Sequence, residues 1–364
     1  METFFAVCQP GLESVLSNEI AGLGLAANQT EGGVEFKGTI TDALRANLYL
    51  RTASRVLLRL GSFSASGFPE LRRKAGRLPW GRFIRPGQRV DIRVTCRKSR
   101  LYHSGAVAER VSGAIGDQLG QAVSVGGTEN EQAAFVRLLR NLCTISIDTS
   151  GEPLHRRGYR QAVVKAPLRE TLAAAMVLAS GWDRKSPFMD PFCGSGTIAI
   201  EAALLAAQLP PGKDRAFALM NWPDSDSGAL EPIRKDAKNT EQMPLILASD
   251  RDAGAIQRAK ENAERAGVAD YIQFSCRSLS AIEPPAESGV IVTNPPYGVR
   301  ISTGKDLRDL YAAIGNVMRK QCTGWQFVLL VQDENLMRST GLDYEPGPWL
   351  DNGGIKVRMA KRLG

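Results

Sequence analysis

The sequence predicts an α/β protein: an open, doubly wound parallel sheet in the second half, preceded by two small α+β units. Three observations predict it. Short apolar runs at 187–189, 244–250 and 289–293 each end in a turn, and helix-forming segments follow the first two. A glycine turn, Asp190-Pro191-Phe192-Cys193-Gly194-Ser195-Gly196-Thr197, sits between the first run and its helix. The first 152 residues instead alternate short strands and helices without a βα rhythm.

In chain order, 4–7 and 34–36 read as strands, with helical patterns at 12–20 and 41–47. A second unit has strands near 56–60, 89–94 and 144–147, and helices near 68–77 and 104–120. The stretch 197–207 is a strong helix former stopped by Pro210-Pro211. The run ending at Asp250 leads into a helix at 253–266, closed by Gly267. The segment 210–240 interrupts this rhythm and reads as an inserted loop with a short helix, a cover for a ligand or a plain surface loop.

The glycine turn points its backbone N–H groups at the carboxyl end of the sheet, where a nucleotide-like cofactor binds in such folds. No Gly-Lys-Ser/Thr follows it, which disfavours a triphosphate, and the full Gly-x-Gly-x-x-Gly spacing is absent. Asp250, at the end of the second strand, is placed to accept ribose hydroxyls, although it also suits a plain helix N-cap. Asn294-Pro295-Pro296-Tyr297 closes the third run. The Asn294 side-chain oxygen and the Pro295 carbonyl can accept the two N–H bonds of an exocyclic amine. This pulls the nitrogen towards tetrahedral geometry for attack on a sulfonium methyl. The prolines stiffen the loop, and the Tyr297 ring offers a face for an unstacked base. The bland alternative is an ordinary turn; position at a strand end, downstream of the glycine turn, argues against it.

Composition fits an intracellular soluble enzyme of two or three domains. No apolar run approaches the roughly 20 residues of a membrane span, and the start lacks a signal-peptide pattern. Cysteines at 8, 96, 143, 193, 276 and 322 show neither zinc-ligand nor disulfide spacing, so no metal is expected. Cys193 reads as packing rather than as a nucleophile.

Charge is unevenly spread: residues 1–165 hold 23 basic and 14 acidic side chains, against 23 and 24 in residues 166–364. The stretch 72–100 contains eleven basic residues and one acid, Asp91. With Trp80, Phe83 and Tyr102 interleaved, it reads as a phosphate-neutralising surface for RNA. Candidate contacts there are Arg72, Arg73, Lys74, Arg97, Lys98 and Arg100.

Taken together, these motifs resemble the class I S-adenosylmethionine-dependent RNA methyltransferases. Leu154-His155-Arg156-Arg157-Gly158-Tyr159-Arg160, the run 166–173, Gly324-Trp325-Gln326 and Asn352-Gly353-Gly354-Ile355-Lys356-Val357-Arg358 extend the similarity to the THUMP-containing guanine-N2 methyltransferases, notably the bacterial 23S rRNA group. The resemblance implies a ferredoxin-like domain at 1–60, a THUMP domain at 61–152, a linker at 153–168 and a Rossmann-like methyltransferase domain at 169–364. It implies S-adenosylmethionine as cofactor, held by Asp190, Pro191, Phe192, Gly194, Gly196, Thr197, Asp250 and Asn294. Asn294, Pro295, Pro296 and Tyr297 become the catalytic loop, and Arg157 and Arg160 join the RNA contacts. Ser278 stands where the family usually places an acid for the adenine amino group, a weaker contact. The implied partner is structured RNA in the cytoplasm, rRNA ahead of tRNA. A non-catalytic RNA-binding assembly factor and an amino methylase of adenine or glutamine are the other readings.

Overall fold

The structure, a computed structural model, describes residues 1–85, 87–120, 131–160, 168–225, 228–235, 242–297 and 307–362. Its first half contains β1 (Glu2–Val7), α1 (Glu13–Gly22), β2 (Ala27–Thr30), β3 (Gly33–Gly38), α2 (Ile40–Tyr49), β4 (Arg55–Ser64), α3 (Phe68–Ala75), β5 (Val90–Arg97), α4 (Ser104–Leu119), β6 (Gln132–Leu139) and β7 (Leu142–Asp148). These strands form one sheet in the order β2-β3-β1-β4-β7-β6-β5, antiparallel except where β6 runs parallel to β5. Two units were expected to meet near residue 60, yet that position lies inside β4. Leu57 and Leu58 pair with Phe5 and Phe4 on one side and with Asp148 and Ile147 on the other.

The second half runs α5 (Glu170–Ala179), β8 (Phe188–Asp190), α6 (Thr197–Ala206), α7 (Leu230–Lys235), β9 (Ile246–Asp250), α8 (Ala253–Ala266), β10 (Ile272–Cys276), β11 (Ser288–Thr293), α9 (Leu307–Gln321), β12 (Gly324–Val331), α10 (Glu334–Ser339), β13 (Glu345–Asn352) and β14 (Ile355–Arg362). Its sheet is ordered β10-β9-β8-β11-β12-β14-β13, with β8 to β12 parallel and the last two strands an antiparallel hairpin. The chain winds outward from β8 to β10, then returns to place β11 on the other side of β8. That reversal opens a crevice at the carboxyl ends of β8 and β11, the usual ligand position in such sheets. The glycine turn and Asn294 flank it.

The halves are tied together by segments whose roles were open in the sequence. The described part of the 210–240 insertion is a brace: Trp222 is buried, meets Phe83 edge-on at 4.8 Å and donates from Nε1 to Gln132 Oε1 at 2.8 Å. Arg215 donates to the carbonyls of Glu152, Pro153 and Arg156. Residues 226–227 and 236–240 of the insertion, 161–167 of the linker and 166–167 of the resembling run lie outside the described residues. Two further expectations are corrected. Trp80 and Phe83 are core residues, 0% and 2% exposed, and Trp80 donates to Ala75 O at 2.8 Å. Neither can stack on RNA; of the three aromatics only Tyr102, 69% exposed, can.

Candidate active site and nucleic-acid interface

At the carboxyl end of β8, Gly194 (φ +52) and Gly196 (φ +84) both adopt left-handed backbone conformations. They differ in surroundings. A Cβ at Gly194 would meet nothing within 4 Å, so the turn faces open space there, as a cradle for a ligand requires. At Gly196 a Cβ would lie 3.0 Å from the Cβ of Ala259, because the turn packs tightly on α8. Asn262, also on α8, donates from Nδ2 to Ser195 O at 2.9 Å and fixes the other side of the turn.

Asp250 closes the second strand, and its Oδ2 accepts from Gly194 N at 3.0 Å while Oδ1 accepts from Asp252 N at 3.0 Å. The helix N-cap itself is Asp252, which accepts from Gly254 N at 2.8 Å. Asp250 is therefore released from that duty and stands at the crevice, oriented by the turn. A cavity of about 230 Å³ lies beside it, with Pro191, Ser249, Phe274, Arg277, Ile282 and Glu283 among its walls. Phe192 is half-buried against the neighbouring apolar cluster. Ser278 is exposed and its Oγ lies 3.0 Å from Ser280 Oγ.

Asp190 is only 1% exposed and accepts from the Thr293 hydroxyl at 2.6 Å and from Phe192 N at 3.4 Å. Burial pushes its carboxyl up to about 7, with the nearby Asp250 charge adding to the rise and the hydrogen bonds opposing it. Its described contacts brace the turn against β11. Thr197 is likewise committed to support: its buried hydroxyl accepts from Arg160 Nη2 at 2.9 Å. Cys193 is buried, and desolvation together with Asp190 and Asp250 pushes its thiol far up, which removes it as a nucleophile.

Directly after Thr293 comes Asn294. Its Oδ1 is buried and has no hydrogen-bond partner among the described residues. An orphaned buried acceptor costs about 1–3 kcal/mol, and a ligand N–H would satisfy it. Pro295 is buried and Pro296 half-buried. Tyr297 departs from the expected open stacking face: its ring is 0% exposed and its hydroxyl accepts from Asn352 Nδ2 at 2.8 Å.

The basic candidates divide into two groups. Arg97, Lys98 and Arg100 are exposed on a turn pinned to the β6–β7 connection, where Asn141 N donates to Ser99 Oγ and Arg100 N donates to Asn141 Oδ1. Arg73 is exposed as well, while Arg72 forms a two-point bond to Asp117 and Lys74 is held by Glu70 and Ser64 O. Arg157 and Arg160 are corrected. Arg157 is 6% exposed, donates to Leu154 O and Arg51 O, and pairs with buried Glu201 at 3.5 Å. Arg160 pairs with Glu170 at 3.4 Å and bonds Leu168 O and Thr197. Both guanidinium groups anchor the linker to α5 and α6. Sequence reading passed over Arg137, opposite Thr95 in the β5–β6 pairing, which joins exposed Arg93 and Arg97 on one sheet face. Its alternation with apolar neighbours was the available signal.

Residues 157–344 match the family model described as the RMKL-like methyltransferase domain. The chain belongs to the RMKL-like methyltransferase family. Ahead of that domain, residues 3–57 match the RlmL ferredoxin-like domain and 65–148 the THUMP domain. Ribosomal RNA large subunit methyltransferase K/L of Syntrophotalea carbinolica is 34% identical over 98% of this chain and 53% of its own length. This chain thus spans about half of that relative. YpsC of Bacillus subtilis strain 168 is 36% identical over 98% of this chain and 94% of its own. The solved structure of SMU.472 in complex with SAH superposes with a TM-score of 0.89, at 30% identity, covering 100% of this chain and 98% of the other.

Proposed function

We propose that the protein transfers the methyl group of S-adenosylmethionine to the exocyclic N2 amine of a guanine in large-subunit ribosomal RNA. What carries the reading is the orphaned Asn294 Oδ1, standing one residue beyond the Thr293 bond to the glycine turn. The K/L relative's name supplies the RNA class, and the SAH held by SMU.472 supplies the cofactor.

The cofactor would lie along the open side of Gly194, with its ribose on Asp250 and its adenine against the cavity beside Pro191. When bound it supplies a methyl carbon made electrophilic by a sulfonium centre. A guanine N2 lone pair is spread into the ring, so the protein's task is to orient and localise it. Asn294 Oδ1 and the Pro295 carbonyl accept its two N–H bonds and aim the nitrogen in line. The bound cofactor would supply the methyl carbon together with a sulfide as its leaving group, while Asn294 and Pro295 hold the amine, whose surplus proton would pass to solvent. No general base of shifted pKa is needed. RNA is gripped by the exposed Arg73, Arg97, Lys98 and Arg100 with Tyr102, through phosphate neutralisation and stacking. Such a reaction and partner suit a protein that works beside ribosomes in the cytoplasm.

The test is nucleoside mass spectrometry on rRNA and tRNA from strains with and without the gene. N2-methylguanosine should vanish from one 23S fragment and return with the wild-type gene but not with Asn294→Ala. A change confined to tRNA or to methylated adenosine, or no change at all, overturns the assignment.

A further inference from the structure

We propose that Asn352 is a positioning residue for methyl transfer: through Tyr297 it holds the 294–297 loop in its working place. The inference rests on the transfer assigned to Asn294 above.

Asn352 ends β13, just before the Gly353-Gly354 turn, where both glycines have positive φ (+65 and +88). It is 0% exposed. Its Nδ2 donates to the Tyr297 hydroxyl at 2.8 Å, and Tyr297 is equally buried. Its Oδ1 has no partner among the described residues. A carboxamide with one unfilled atom in the core is less favourable than an apolar side chain of the same shape. Its contribution is therefore directional: it fixes where the tyrosine hydroxyl sits, and Tyr297 is three residues from the acceptor oxygen of Asn294.

The support itself is held from two sides. β14 pairs with β12 from Phe327↔Arg362 to Val331↔Arg358, which binds the hairpin to the parallel sheet. From the amino-terminal half, Gln9 Nε2 donates to Asp351 O at 2.8 Å, and Gly11 (φ +96) packs so closely on Pro348 that a Cβ there would lie 2.6 Å from it. The residue next to Asn352 is thus clamped by the opposite end of the chain. Tyr297 can leave its position only by abandoning this buried hydrogen bond.

The test is a double-mutant cycle of Asn352→Leu and Tyr297→Phe, read as kcat for total tritiated methyl on rRNA, with the Kd for SAH measured alongside. Counting all methyl makes the readout independent of which base accepts it. Each single variant should lose about tenfold in kcat, the double variant no more than the worse single, and the Kd should stay within about twofold, as expected for displacement of a reacting group. Losses that multiply to about a hundredfold, or full activity in Asn352→Leu, overturn the proposal. If Asn352→Leu does not fold, Asn352→Asp replaces it: its carboxylate can accept from the tyrosine hydroxyl, so activity should survive beside Tyr297 and fall in Tyr297→Phe. Urea midpoints of the same variants need no turnover; additive shifts there also overturn it.

Discussion

The Thr293 hydroxyl donates to the Asp190 carboxylate at 2.6 Å, joining the last residue of β11 to the last residue of β8. Both are buried, and each immediately precedes a functional loop: the glycine turn on one side, Asn294 on the other. The two halves of the candidate chemistry are thereby set by one bond. Thr293→Val keeps the shape and removes the donor from a buried carboxyl, so it should cost about 1–3 kcal/mol in urea unfolding and lower kcat. A variant of wild-type stability would show that the bond is not made in solution.

Asp190 also predicts a pH dependence. Its carboxyl, raised to about 7 in the folded chain, holds its proton where an unfolded aspartate has lost it. Between roughly pH 4 and pH 7 the folded state therefore binds more protons than the unfolded one. This contribution to stability is complete below about pH 4 and is lost as pH rises through about 7. Asp190→Asn should flatten that part of the stability curve, measured by urea midpoints at several pH values; an unchanged slope would assign the dependence elsewhere.

Removing the orphaned acceptor should separate binding from turnover. Asn294→Ala is expected to lower kcat about 10²–10³-fold, the scale of one hydrogen bond made in the transition state, with the Kd for SAH within about twofold. Calorimetry beside single-turnover kinetics decides it. A large loss of SAH affinity with intact turnover contradicts the role given to this side chain.

The arginine division is testable by salt. Replacing Arg97, Lys98 and Arg100 by alanine should weaken RNA binding and reduce the slope of log affinity against log salt by about one for each phosphate no longer neutralised. Arg157→Ala should leave that slope alone and instead destabilise the fold, since it removes the ion-pair partner of the buried Glu201 and leaves that carboxylate with the Tyr159 hydroxyl. Reversed results would return Arg157 to the RNA surface.

Two glycines that share a left-handed backbone should respond differently. Gly196→Ala forces a Cβ to 3.0 Å from Ala259 in that conformation and should cost about 1–2 kcal/mol in stability. Gly194→Ala shares the conformational cost but projects into the crevice, so it should also weaken SAH binding severalfold. Equal SAH affinity in the two variants would move the cofactor away from Gly194.

The β8–α6 and β9–α8 units and β11 were legible because their signals are local: an apolar run, a glycine turn, an acid at the next strand end and a stiff amide-bearing loop lie within short windows. The same holds for the helix 253–266 with its closing Gly267, whose φ is +70. What escaped depended on contacts far apart in sequence. Arg157 and Arg160 looked solvent-facing because Glu201 and Glu170 read as ordinary helix residues. Trp80 and Phe83 sit in a basic stretch, but tertiary packing, including Trp222 from the inserted segment, claimed them. β2 is too polar to announce itself, and β6, rich in alanine and leucine, reads equally well as helix until β5 and β7 pair with it. Asn262 was within reach, since an asparagine on the buried stripe of an amphipathic helix needs a partner.

Strand β4 has a consequence for how this protein can be taken apart. Ten residues long, it is hydrogen-bonded to β1 through 55–58 and to β7 through 57–64, so its central residues belong to both amino-terminal units at once. Severing the chain near residue 60 would strip a ladder from each fragment and leave raw strand edges prone to self-association. The ferredoxin-like and THUMP modules, separable as motifs, share this one strand, and a single unfolding transition for the two is the expected outcome.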